Sequence, residues 1–112
     1  MSLLVDSDNP DAALAEIKEG IRLWPNNIFL HYLLGKVLVK KNDPDGAIVE
    51  LQWDLKQEKN HDWKASCALG RAYEQKGDLK AALSQYRTAY RVHMDDEQCR
   101  ASYERLHSQL KK

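Results

Sequence analysis

Apolar side chains recur along this chain at three- and four-residue intervals, and breaks rich in Pro, Gly and Asn divide them into six helical stretches. Ala13, Leu14, Ile17, Ile21 and Leu23 mark a first helix from about Pro10 to Leu23, with Asn9 as its candidate N-cap and Pro25-Asn26-Asn27 as its stop. Leu30, Leu34, Val37 and Leu38 share one face of a second helix, about Ile28 to Lys41, which Asn42-Asp43-Pro44 interrupts. Ala47, Ile48, Leu51 and Leu55 form the stripe of a third, which ends within the polar run Lys56 to Asp62. Asp62 is a candidate cap for the fourth, about Trp63 to Lys76, which carries Ala65, Leu69, Ala72 and Tyr73 and stops at Gly77-Asp78. Leu79, Ala82, Leu83, Tyr86, Ala89, Tyr90 and Val92 mark the fifth. Asp95-Asp96-Glu97 then place negative charge at the start of a sixth, striped by Cys99, Tyr103, Leu106 and Leu110. No stretch alternates as a strand does.

The pattern also repeats itself. Leu34-Gly35, Leu38, Ala47 and Leu51 recur 35 positions later as Leu69-Gly70, Tyr73, Ala82 and Tyr86. Self-similarity at that period marks a solenoid of stacked helix pairs. Small residues at Gly35, Gly70, Ala47 and Ala82 let helices approach closely, and the larger residues fill the space beside them.

These residues resemble the tetratricopeptide repeat (TPR), a helix-turn-helix unit of 34 residues. The match is fullest over Trp63 to Asp96, through Leu69, Gly70, Tyr73, Gly77, Asp78, Ala82, Tyr86 and Ala89. It continues over Ile28 to Asp62, where one extra residue in the loop after the second helix accounts for the longer offset. The resemblance implies an all-α, right-handed α-α superhelix of about six antiparallel-stacked helices. It divides the chain into an unstructured segment or cloning remnant at 1–8, the second helix of a partial repeat at 9–27, repeats at 28–62 and 63–96, and a capping helix at 97–112.

Two places depart from the repeat. Asp54 stands where a small apolar residue is usual, with Trp53 beside it on a face that is normally exposed. A one-residue shift of the helix that tucks Trp53 inward is the expected answer, and an exposed aromatic contact the alternative. Met94 replaces the usual Pro before the last helix.

Composition narrows the function. Seventeen basic and seventeen acidic residues cancel, so no overall field draws the chain to nucleic acid or an anionic membrane, and any electrostatic partner must be met by a local patch. The absence of a visible export signal or membrane span favours a cytoplasmic setting. Cys67 and Cys99 fit no metal-ligand spacing and are expected to be free thiols. His31, His61, His93 and His107 are scattered, with His31 expected to pack between helices. No nucleophile stands beside a His and an acid, so no enzyme, metal or cofactor is expected.

In the TPR family the first helix of each pair lines a concave groove that binds protein or peptide segments. Carried over, that groove includes Phe29, Tyr32, Leu33, Lys36 and Lys40, then Lys64 and Arg71, then Arg105. Lys36 and Arg71, each one residue beyond its glycine, would align with Arg105 as a column of cations suited to an acidic peptide or a terminal carboxylate. The competing reading is a solvated face in which Glu74 pairs with Arg71. The family's carboxylate clamp for chaperone tails is not matched, since Tyr32, Lys36, Ala68, Gln98 and Ser102 stand at its key places. A structural spacer without its own ligand, or self-association through an unpaired first helix, are the alternatives to a binding module.

Overall fold

The computed structural model describes residues 10–57, 63–92 and 96–111, and within them the chain forms six helices. These are α1 (Pro10–Leu23), α2 (Ile28–Lys40), α3 (Pro44–Gln57), α4 (Trp63–Lys76), α5 (Leu79–Val92) and α6 (Glu97–Lys111). The expected bounds hold to within a residue at the described ends. Lys41 falls outside α2 because it is the C-cap, its N–H bonding back to the Val37 carbonyl. The expected caps Asn9 and Asp62, the turn at Met94 and the extra loop residue lie outside the described residues.

Each helix packs chiefly on its neighbours in sequence, most closely within the α2–α3 and α4–α5 pairs, and α2 also touches α4. The result is an all-α solenoid measuring 46 × 29 × 23 Å, the right-handed α-α superhelix expected of the repeat.

The two pairs are built by the same local chemistry. Asn42 and Gly77 end the first helix of each pair with φ of 60° and 84°, the left-handed conformation that Asn tolerates and Gly adopts freely. Asp43 N–H then reaches back to the Leu38 carbonyl, and Asp78 N–H to that of Tyr73. The same two aspartates cap the helices that follow, Asp43 Oδ1 accepting from Gly46 N–H and Asp78 Oδ1 from Ala81 N–H, each at 3.2 Å.

The core runs along the stack in three linked clusters. Ala13, Ile17, Leu33 and Val37 join α1 to α2. Ala47, Leu51, Ala65, Leu69 and Ala72 join α3 to α4, and Cys67, Ala82, Tyr86, Ala89, Cys99 and Leu106 join α4, α5 and α6. Backbone contact inside each pair depends on its glycine. A Cβ at Gly35 would lie 2.6 Å from Leu51 Cγ, and one at Gly70 2.7 Å from Tyr86 Cε1, so the missing methyl makes room for the large side chain opposite.

At the ends, α1 lays Ala13, Ile17 and Gly20 inward, Leu14 and Ile21 are partly buried, and Leu23 with the Trp24 that follows it is exposed.

The Asp54 departure is resolved differently from expectation. No one-residue shift occurs: Ala47 and Leu51 keep their core places, Asp54 stays in register and is 0% exposed, and Trp53 remains beside it, half-buried. Trp53 packs by laying its ring against His31 of α2, with centroids 4.1 Å apart. A shift would have pulled Leu51 away from Gly35, which is why the helix keeps its register.

His31 links three segments. Nδ1 lies 2.6 Å from Glu50 Oε2 on α3, and Nε2 lies 2.7 Å from the carbonyl of Pro25 in the α1–α2 turn. Both partners are acceptors, so the doubly protonated imidazolium satisfies both. Burial of the ring lowers its pKa, but the bonds to Glu50 and Pro25, with the charges of Glu50 and Asp54, outweigh it and raise the value above 6.5. A raised folded-state pKa stabilises the protein fully below the unfolded value, and that stability is lost as pH rises through the folded one. The melting temperature is therefore expected to fall as pH climbs above about 6.5, and His31→Gln to flatten that dependence. Parallel pH profiles for the two proteins would expose the idea as wrong.

Candidate functional site: the groove between α2, α4 and α6

The first helices of successive pairs, α2 and α4, lie side by side with the start of α6, and between them opens a cavity of about 370 Å³. Its apolar wall comes from α2: Phe29 is 52% exposed, Tyr32 half-buried and Leu33 buried beneath them. The Phe29 and Tyr32 rings tilt against each other with centroids 6.2 Å apart. Lys36 from α2, with Lys64 and Arg71 from α4, bring three cations to the same cavity. Among the described residues, Asp96 is the one acid that lines it. Its carboxylate is occupied in part by capping α6, accepting from Cys99 N–H at 2.9 Å.

Six of the eight residues expected to form the groove line this cavity: Phe29, Tyr32, Leu33, Lys36, Lys64 and Arg71. Lys40 and Arg105 do not. Arg105 instead donates from Nη2 to both oxygens of Glu74, at 3.0 Å to Oε1 and 2.9 Å to Oε2, one nitrogen bridging the carboxylate between α6 and α4. Glu74 therefore pairs with Arg105 rather than with Arg71 in the adjacent turn. It also accepts from the Tyr86 hydroxyl at 2.6 Å, so one carboxylate ties α4 to both α5 and α6. Burial, with the Glu74 charge beside it, pushes the Tyr86 phenol well above its ordinary pKa, so it remains a donor throughout the physiological range. Arg71 reaches across the groove to Gln98, donating to Oε1 at 2.9 Å. The Gln75 amide donates to the Val39 carbonyl at 2.7 Å, holding α4 to the C-terminal end of α2. The expected column of three cations is thus reduced to Lys36 and Arg71, with Lys64 alongside.

The cysteines overturn their expectation outright. Cys67 of α4 and Cys99 of α6 are joined in a disulfide, their Cα atoms 5.9 Å apart, and neither is a free thiol. A signal for this was present. Their separation of 32 residues is close to the repeat period, so the solenoid sets them on neighbouring first helices at nearly the same height. Asp96 lies close enough to both sulfurs to form a three-ligand cluster within 4.8 Å. In the disulfide, however, those sulfurs are bonded to each other and are not the thiolates a metal requires.

A chain that stacks helix pairs around an open groove belongs among the helical-repeat solenoids. A profile of the tetratricopeptide repeat matches residues 32–97, more than half of the chain, and the chain belongs to that family. No curated protein matches it. Repeats of this family generally mediate protein–protein interaction and form a non-catalytic scaffold. Among the described residues no helix is long and apolar enough to cross a membrane.

Proposed function

We propose that this chain is a binding module that takes an acidic, extended protein segment into the groove between α2, α4 and α6. The observation that carries this reading is the composition of the cavity, where an apolar shelf of Phe29, Tyr32 and Leu33 adjoins Lys36, Lys64 and Arg71. An apolar side chain of the segment would rest on the shelf, with its carboxylates toward the cations. Arginine offers a carboxylate two parallel hydrogen bonds, and lysine a mobile point charge. The net charge of the whole chain is zero, so this local excess of cations is what would discriminate acidic from basic segments.

The test is charge reversal of Lys36, Lys64 and Arg71 to Glu, measured with a fluorescent Glu/Asp-rich peptide bearing one aromatic residue. Binding is expected to weaken by at least about tenfold, or ~1.4 kcal/mol. Because Lys64 is exposed and the other two are partly exposed, the melting temperature should change little. Reversal of Lys40, which lies off the cavity, serves as the control. Equal binding by the triple variant and the parent protein would refute the proposal.

A further inference from the structure

The disulfide lies in the wall of the groove, and its position ties redox state to the shape of that wall. Cys67 and Cys99 are 4% and 2% exposed, and both line the cavity. The bond is the covalent connection between α4 and α6. Among the described residues these helices are also tied by the exposed Arg71–Gln98 hydrogen bond and by the Arg105–Glu74 ion pair, whose carboxylate is partly buried. The sixth helix otherwise rests on α5, through Leu106 and the stacked rings of Tyr103 and Tyr90, 5.0 Å between centroids. Those contacts lie further along α6, so at its first turn the disulfide acts together with the packing of Cys99 in the core and the Arg71–Gln98 hydrogen bond.

The surroundings of the bond act in two directions, since burial of both sulfurs and the Asp96 carboxylate beside them disfavour a thiolate, while other features favour one. The N-terminal end of α6 carries Cys99, and Lys64 and Arg71 stand on the same wall as Cys67. A helix N-terminus and nearby cations stabilise a thiolate, and a stabilised thiolate leaves faster in disulfide exchange.

We propose that the Cys67–Cys99 disulfide is a redox latch on the groove: oxidised, it holds the start of α6 against α4 and keeps the binding wall formed, and reduced, it releases that wall and weakens capture of the acidic segment. The ligand part rests on the function proposed above. The reductant is a dithiol. One of its thiolates attacks a protein sulfur, forming a mixed disulfide and expelling the other cysteine as a thiolate, which takes up a proton. The second thiol of the reductant, losing its proton, then displaces the remaining cysteine, which is protonated in turn. The protein gains two electrons and two protons, and the reductant leaves as a cyclic disulfide. A preformed wall binds more tightly because less ordering is required on association.

The experiment compares the full chain before and after a dithiol reductant, with redox state verified by thiol alkylation and mass. Hydrogen exchange is expected to show amides in the first turns of α6 losing protection on reduction, while α2 and α3 keep theirs. Affinity for the Glu/Asp-rich peptide should fall about tenfold. The Cys67→Ala/Cys99→Ala variant should match the reduced protein in both measurements and ignore the reductant. Unchanged α6 protection on reduction, or free thiols in protein purified under oxidising conditions, overturns the latch. Loss of α6 protection with no peptide bound in either state supports the latch and defeats the ligand reading instead. Peptide binding that is equal in the two states, with α6 loosened, defeats the claim that the latch controls capture.

Discussion

Tyr86→Ala is expected to lower stability by about 3–5 kcal/mol, the cost of emptying a large aromatic site in a packed core. The ring is 0% exposed and fills the space that Gly70 leaves open. Both neighbours are backbone-limited: α4 and α5 are set at a spacing that the Gly70–Tyr86 pair determines, so the cavity cannot close without moving a helix. The hydroxyl adds a hydrogen bond to Glu74, which in turn holds Arg105. Tyr86→Phe separates the two effects and should cost only about 0.5–1.5 kcal/mol. For a domain of this size each kcal/mol moves the melting temperature by roughly 4 °C. Thermal unfolding followed by circular dichroism should therefore fall by about 12–20 °C in the alanine variant. An alanine variant that melts with the phenylalanine variant would show that the ring is not the wedge between α4 and α5.

Removing the disulfide comes next in size. With Cys67 and Cys99 separated by 32 residues, the restriction that the bond places on the unfolded chain corresponds to about 3–4 kcal/mol. The Cys67→Ala/Cys99→Ala variant is expected to show this as a lower urea midpoint with a somewhat steeper slope, because the unfolded chain without the cross-link exposes more surface. The parent protein in reductant should fall to the same midpoint, because alanine keeps the buried positions apolar. Coincident curves for the parent protein in oxidising and reducing buffer would mean that the bond adds nothing to stability.

The helices were legible because each is written in local terms. Apolar spacing marks α1 to α6, and Asn42-Asp43 and Gly77-Asp78 each combine a left-handed stop with the cap of the next helix. The 35-residue recurrence aligns one pair on the other, and that alignment alone brings Phe29, Tyr32, Leu33, Lys36, Lys64 and Arg71 to one wall, where they line the cavity. Position in the repeat predicts direction, since side chains at equivalent places leave equivalent helices on the same side.

Partner choice was less legible. Glu74 is within reach of Arg71 on its own helix, yet it pairs with Arg105, because α6 presents a guanidinium that can meet both carboxylate oxygens while Arg71 reaches Gln98. Trp53 and Asp54 show the same limit. A sequence suggests that one of them must give way, whereas the packed pair keeps Leu51 under Gly35 and settles Trp53 against His31.

Local periodicity, caps and the repeat length are short-range properties of the chain, and they were sufficient for the class of fold, the order of the helices and most of the groove wall. The Cys67–Cys99 bond, the Glu74 pairings and the His31–Glu50 contact needed the tertiary structure. Each depends on the distance and facing of two helices, which the stack sets and no spacing along a single helix encodes.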